Sequence, residues 1–237
     1  MQSRSATPKM VVLLLILMAP ALTGCGGSDE PVSPTTTAPA PIPTVTPPAV
    51  GQTTPAAGWD VVSARVAYDW RWPNADSGGA RVPRGAFVPV PQLTTIAVGD
   101  HPNDADDPPY NRMSFSFTTG FPGYQFLYVN ELVADGSGQT IPLEGYGVLK
   151  IVFTPAQAHT TDGSASTVTS QPPAHLGLSR MAAYAQAGDF EGYLTYGIGI
   201  TYPIRESNPQ IKVRAYETTY VNGQQHRYVV AIDVDAR

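Results

Sequence analysis

Residues 211–234, IKVRAYETTYVNGQQHRYVVAIDV, carry the strongest fold signal in this 237-residue chain. The dipeptide Asn222-Gly223 is typical of a two-residue turn that joins antiparallel strands. A turn centred on this dipeptide places Lys212 opposite Asp233 and gathers apolar residues on the other face of the hairpin. The predicted pairs on that apolar face are Ile211–Val234, Val213–Ile232 and Ala215–Val230.

Other stretches before this hairpin show the period-two pattern of strands. Residues 112–118 alternate Met113, Phe115 and Phe117 with polar residues, whereas 124–132 is apolar on both faces, as a central strand would be. Further strands are predicted at 61–68, 92–98, 147–153 and 191–201. Short strands separated by turn signals predict an all-β fold, either an antiparallel sandwich or a barrel.

The first 24 residues have the composition of an export signal. Two basic residues precede an apolar run at 10–22, whose 13 residues span about 20 Å as a helix, less than the ~30 Å bilayer core. Leu22-Thr23-Gly24-Cys25 then resembles a bacterial lipobox, and Cys25 is the single cysteine of the chain. We therefore predict a signal peptide over 1–24 and lipidation of Cys25, with palmitate as one acyl chain. The alternative is an ordinary secretory signal with an incidental cysteine.

A Pro/Thr-rich segment follows the predicted lipobox. Residues 26–58 contain eight Pro and seven Thr and no aromatic residue. Such a segment buries too little apolar surface to offset its ordering entropy, so residues 25–58 are predicted to form a disordered stalk. If extended like polyproline II, the stalk reaches on the order of 100 Å. Its threonines are candidate acceptors for sugars, and a bare spacer is the alternative.

Composition and motifs argue against several classes of function. The formal net charge of −5 and the lack of a Lys/Arg cluster exclude a nucleic-acid-binding surface. Hydrolase, metalloprotease and phosphate-loop signatures are missing, and the four histidines are scattered, so we expect no catalytic residues, metal site or cofactor. Asp104, Asp106 and Asp107 offer oxygen ligands suited to Ca²⁺, but they lack the glycine and distal glutamate of an EF-hand, which favours a solvated loop.

Several motifs follow one another in the folded part of the chain. They are Phe121-Pro122-Gly123-Tyr124, Asp135-Gly136-Ser137-Gly138, the run at 154–159, and Gly188-Asp189-Phe190-Glu191-Gly192 with Gly197-Ile198-Gly199. In combination they resemble the AMIN-like domain of lipoproteins from high-GC Gram-positive bacteria, over roughly residues 93–234. The chain departs from that family at Asn111-Arg112, where Asp-Arg is usual, and in the expanded turn at 101–109.

The resemblance implies an antiparallel β-sandwich over residues 59–237. It also favours a strand at 178–187, running into a turn at 188–192, although 178–187 has helical propensity. The parent AMIN domain targets envelope proteins and is not an enzyme. The resemblance therefore implies a non-catalytic module that binds peptidoglycan, another cell-wall polymer or an envelope protein. With the lipid anchor, we expect it on the extracytoplasmic face of the cell membrane.

The candidate binding residues are acidic and aromatic. Asp189 and Glu191 flank Phe190 in a glycine-bounded turn and are expected at a binding rim. Tyr124 and Tyr128 supply amphipathic rings suited to a sugar or a protein partner. A carrier that holds a lipid or another apolar ligand between its sheets is the alternative, motivated by the two apolar faces of 124–132.

Replacing Cys25 by Ala is expected to release the chain from the membrane, because the acyl chains attach through this thiol. In cells fed labelled palmitate, the wild-type chain should carry label and sediment with membranes, whereas the Cys25→Ala chain should do neither. Thr23→Ser keeps a small residue before the cleavage site and serves as the control. Equal membrane binding of the Cys25→Ala chain would contradict the predicted anchor.

Overall fold

The computed structural model describes residues 57–75, 78–86, 88–103, 107–205 and 211–237. Cys25, nearly all of the predicted stalk, Asp104 and Asp106 lie outside these ranges. The helical element of the described ranges is a single 3-10 turn at Pro73–Ala75. Among the described residues, no helix has the length and apolar character needed to cross a membrane.

Within the described ranges, twelve strands pair antiparallel into two five-stranded sheets and one two-stranded sheet. In chain order they are Asp60–Arg71 (β1), Ala80–Val82 (β2), Leu93–His101 (β3), Tyr110–Phe117 (β4), Gly123–Val129 (β5), Leu132–Val133 (β6), Thr140–Ile141 (β7), Val148–Thr154 (β8), Met181–Phe190 (β9), Tyr193–Ile200 (β10), Val213–Asn222 (β11) and Gln225–Asp235 (β12). Sheet 1 has the order β1-β11-β12-β4-β3, and sheet 2 has the order β2-β5-β8-β10-β9. The predicted antiparallel β-sandwich is confirmed.

Aromatic side chains from both sheets fill the space between them. Phe115 of β4 lies between two rings of sheet 2, with its centroid 4.9 Å from that of Phe153 and 5.4 Å from that of Tyr196. Phe117 also packs on Phe153, at 5.1 Å, and all four side chains are buried. Successive residues of a strand point to opposite faces, so these inward rings determine which neighbours point outward. The alternation predicted for 112–118 is confirmed.

The turn of the β11–β12 hairpin is shifted by one residue from its predicted position. Asn222 pairs with Gln225, so the two-residue loop is Gly223-Gln224. Gly223 has a φ of 58°, which glycine adopts without strain and which suits the first central position of a type II′ turn. Each cross-strand partner therefore moves by two residues, and Val213 lies opposite Val234. A shift of two keeps the same face inward, so the predicted apolar face is buried although the predicted pairs are wrong.

The observed register builds a buried ion-pair cluster around Asp233. Arg214 lies directly opposite Asp233, which is buried and accepts hydrogen bonds from Arg214 Nη2 at 2.8 Å and from Arg112 Nε at 2.6 Å. Arg214 Nη1 also pairs with Asp107 at 2.7 Å, and its guanidinium lies 4.6 Å from the ring centroid of Trp70. Two arginines and two aspartates thus compensate one another where an unpaired charge would be costly.

Of the ambiguous stretch at 178–187, residues 181–187 form a strand, as predicted, and belong to β9, whereas 178–180 precede the strand. The strand continues to Phe190, further than expected, because the turn consists only of Glu191 and Gly192, with φ values of 51° and 78°. The pairing of β9 with β10 skips Ala187, which forms a β-bulge. The bulged carbonyl of Ala187 accepts a hydrogen bond from the amide of Asp135 at 3.0 Å, so a loop docks where the ladder is interrupted.

Replacing Arg214 by Ala should lower the free energy of unfolding by about 3–5 kcal/mol, because buried partner charges lose their counter-ion. Lys212→Ala is the matched control, since Lys212 is exposed and its loss should change that free energy by less than about 0.5 kcal/mol. Urea unfolding followed by circular dichroism measures both. The predicted Lys212–Asp233 pair is wrong, because Arg214 lies opposite Asp233 in the structure. A larger loss of unfolding free energy for Lys212→Ala than for Arg214→Ala would contradict this pairing.

Candidate functional site

A groove of about 580 Å³ opens on the outer surface of sheet 2. One wall comes from the β9–β10 hairpin, through residues 188–191 and Tyr193. The opposite wall comes from Asp135 and Gly136 in the loop after β6. Lys150 and Val152 of β8 and Thr195 of β10 lie between these walls. The groove therefore contains three of the five predicted binding residues, Asp189, Phe190 and Glu191.

Two aromatic side chains stand at the end of the β9–β10 hairpin. Phe190 and Tyr193 are cross-strand partners on either side of the two-residue turn. They are 71 % and 55 % exposed, whereas Leu194 and Tyr196 on the same strand are buried in the core. Strand alternation explains the difference, because Tyr193 points to the outer face of sheet 2 whereas Leu194 and Tyr196 point to the core. We refer to these two side chains as the Phe190–Tyr193 pair.

The second wall exists because residues 130–147 lie against the outer face of sheet 2. Leu132 of this segment is buried together with Val148 and Ala187. Glycines on the sheet make room for it: a Cβ on Gly197 would lie 2.7 Å from Leu132 Cδ1, and one on Gly199 would collide with the carbonyl oxygen of Glu144. The glycines of the 188–199 motif thus allow close approach of the 130–147 segment.

Lys150, Asp135 and Asp189 of the groove lining make polar contacts within the protein. Lys150 Nζ lies 3.1 Å from Asp135 Oδ1. The Asp189 carboxylate accepts a hydrogen bond from the amide of Ala158 at 3.1 Å and lies 2.8 Å from His159 Nδ1. Asp189 therefore holds the 158–159 loop in place, while Glu191 at the turn is exposed. Asp189 pairs across the strands with the inward-facing Leu194, and its charge acts on the buried Tyr196, so its carboxylate points to the inner side of the sheet. Among the described lining residues, the Asp135 and Glu191 carboxylates and the Lys150 ammonium are the charges that face the groove.

The floor of the groove contains a buried hydroxyl. Thr195 pairs with Val152 on one side and Gly188 on the other, and it is 1 % exposed. Its Oγ1 has no hydrogen-bond partner among the described residues, which is uncommon for a buried hydroxyl. Its neighbour Tyr196 points into the core, where burial, aided by the charge of Asp189, raises the pKa of the phenol and keeps it neutral.

Tyr124 and Tyr128, the other two predicted binding residues, lie in the core and not in the groove. They are 3 % and 4 % exposed. Tyr124 Oη donates to Glu217 Oε1 at 3.1 Å, and Tyr128 Oη donates to the carbonyl of Ile211 at 3.2 Å. Burial raises the pKa of both phenols. The structure therefore brings the 189–191 residues together and separates the two tyrosines from them.

Sequence reasoning missed four polar or aromatic lining residues: Asp135, Lys150, Tyr193 and Thr195. Lys150 was the most visible of them, because it is a single charge inside the apolar run at 147–153. Asp135 begins one of the motifs of the resemblance, yet no local pattern shows that its loop crosses to sheet 2. That contact depends on the packing of a distant segment.

A metal site requires several His, Cys, Asp or Glu side chains close together. Within the ranges that the structure describes, no group of three such residues has the arrangement of a metal site. Asp107, from the acidic loop considered for calcium, pairs with Arg214, and its neighbours Asp104 and Asp106 lie outside those ranges. The groove instead offers aromatic faces, hydrogen-bond acceptors and one ammonium, which suit reversible binding.

A surface groove rimmed by exposed aromatic side chains has the geometry of a site for reversible binding. The model of the AMIN-like domain matches residues 91–234, which is more than half of the chain, so the chain belongs to the AMIN-like domain family. Membership indicates a cell-wall-associated binding module in the extracytoplasmic envelope. None of the curated proteins matches the chain, and none of the solved structures does.

Replacing Gly199 by Ala should lower the free energy of unfolding by about 1–3 kcal/mol, because the new methyl group meets the backbone of Glu144 and displaces the 130–147 segment. Gly85→Ala is the control, since a Cβ there meets nothing within 4 Å. Chemical denaturation measures the loss, and hydrogen exchange at the Asp135 amide should accelerate selectively. Unchanged exchange at that amide would show that the segment does not depend on the glycine.

Proposed function

We propose that this protein is a non-catalytic module that binds a cell-wall polymer through the groove on sheet 2. In this proposal, the 1–24 signal peptide is removed, acylated Cys25 anchors the chain to the outer face of the cell membrane, and the stalk at 25–58 carries the domain into the wall layer. The exposed Phe190–Tyr193 pair beside the groove is the observation that carries the proposal.

The exposure of the pair supports a binding role, because most other large aromatic side chains are buried in the core. Phe190 is 71 % exposed at the tip of a hairpin where sheet packing requires no ring. Adjacent exposed aromatics at the rim of a concave site are typical of recognition surfaces. Their rigid rings supply contact area with little loss of side-chain entropy.

The state of the carboxylates supports binding rather than acid–base catalysis. Asp189 is occupied by the Ala158 amide and His159, and Asp135 by Lys150. A general acid or base needs a pKa near the working pH and a free path to substrate. Carboxylates committed to holding the walls of a groove instead stabilise its shape.

The carrier alternative rested on the two apolar faces of 124–132. Tyr124, Phe126 and Tyr128 point into the core from one face. On the other face, Val129 packs in the small cluster formed with Leu132 of the 130–147 segment. Both faces therefore have protein partners, which favours the binding module.

Pelleting with isolated cell walls tests the proposal. The full chain in mild detergent at low salt should sediment with purified walls, and Phe190→Ala/Tyr193→Ala should weaken the apparent affinity by at least about tenfold, since each ring contributes on the order of 1–2 kcal/mol. Tyr146→Ala is the matched control, because Tyr146 is 72 % exposed outside the groove.

Three results are informative. Loss of sedimentation in the double variant but not in Tyr146→Ala supports the proposal. Equal sedimentation of all three chains would show that the chain binds walls through a surface other than the groove. A wild-type chain that does not sediment would reject wall binding and favour an envelope protein as the partner.

A further inference from the structure

We infer that the groove on sheet 2 binds an uncharged sugar ring of the wall glycan, with one face of the ring stacked on the Phe190–Tyr193 pair. This inference rests on the proposed function, because it names the part of the wall polymer that the same site recognises. Three properties of the groove lead to it: its size, its charge and the pattern of apolar and polar groups along its surface.

The size of the groove fits a small rigid ligand. Its volume of about 580 Å³ lies within the range of about 300–1,000 Å³ found for small-molecule sites. The floor is the outer face of a regular sheet, from which Val152 and Thr195 project, and the rim carries two flat rings. A flat ring-shaped ligand covers such a surface with few rotatable bonds to immobilise.

The charge of the groove selects against anionic wall polymers. Among the described lining residues, Asp135 and Glu191 bring two carboxylates that face the groove, while Lys150 is the one cationic residue and already pairs with Asp135. Ionised carboxylates only accept hydrogen bonds. A suitable ligand therefore contributes donors such as hydroxyl or amide N–H groups, whereas a phosphate polymer or a peptide carboxylate would be repelled.

The order of chemical groups along the groove matches the two-sided character of a pyranose. The Phe190–Tyr193 pair and Val152 offer apolar surface to the C–H face of a sugar. Glu191 at the rim and Asp135 on the opposite wall accept hydrogen bonds from groups at the ring edge.

Calorimetric titration of the full chain with a soluble, uncharged oligomer of N-acetylglucosamine tests the inference. Wild type should bind, and Phe190→Ala or Tyr193→Ala should each weaken binding about tenfold, because stacking surface is lost. Tyr193→Phe retains the ring and should stay within about threefold of wild type. Tyr146→Ala should be unchanged, and the same oligomer should displace the chain from purified walls.

Charge provides the second readout. Glu191→Gln keeps the shape of the side chain and removes its charge, so it should weaken oligomer binding about three- to tenfold, because a hydrogen bond to an ionised carboxylate is stronger than one to a neutral oxygen. Glycerol phosphate polymer and free wall peptide are the competing probes. Displacement by either of these, strengthened in Glu191→Gln, would overturn the sugar assignment.

The test separates this inference from the proposed function. Walls that bind in a Phe190- and Tyr193-dependent manner while the oligomer neither binds nor displaces would overturn the sugar assignment alone. Failure of the wild-type chain to bind either walls or oligomer would overturn both.

Discussion

The aromatic layer between the two sheets determines which side chains point to the outer surface. Phe115 packs against Phe153 and Tyr196, so β4, β8 and β10 each have one face committed to the interior. Because strands alternate, turning Tyr196 inward turns Thr195 outward, and turning Phe153 inward turns Val152 outward. The floor of the groove is therefore a consequence of core packing. A register slip of one residue in β10 would turn Thr195 into the core and Tyr196 out to the groove.

The walls of the groove depend on a second constraint, the close approach of backbone to backbone. Residues 130–147 can lie on sheet 2 only because Gly197 and Gly199 present no Cβ there. The bulge at Ala187 supplies a carbonyl for the Asp135 amide, which brings Asp135 toward Lys150. The β-bulge at Ala187 and the two glycines thus place a charged wall opposite the Phe190–Tyr193 pair.

Much of the fold was accessible from local patterns, and the errors have physical causes. The strands at 112–118 and 147–153 were predicted because alternation and short apolar runs reflect burial directly. The β11–β12 register was wrong because Gly223 occupies the first central position of the turn, and the Asn-Gly signal does not say which two residues form the loop. That one-residue error hid the Asp233 cluster, since it paired Asp233 with Lys212 in place of Arg214.

The amino-acid sequence by itself determined the β class, the apolar faces of β4 and of the β11–β12 hairpin, the family resemblance over roughly 93–234 and the glycine-bounded segment at 188–192 as a candidate rim. These features are encoded over short spans, by period-two hydrophobicity and by glycine-bounded turns. Only the tertiary structure decided that Tyr124 and Tyr128 are core residues and that Asp135, Lys150 and Thr195 complete the groove. Their association joins residues up to 60 positions apart through sheet pairing and segment packing, which no local pattern specifies.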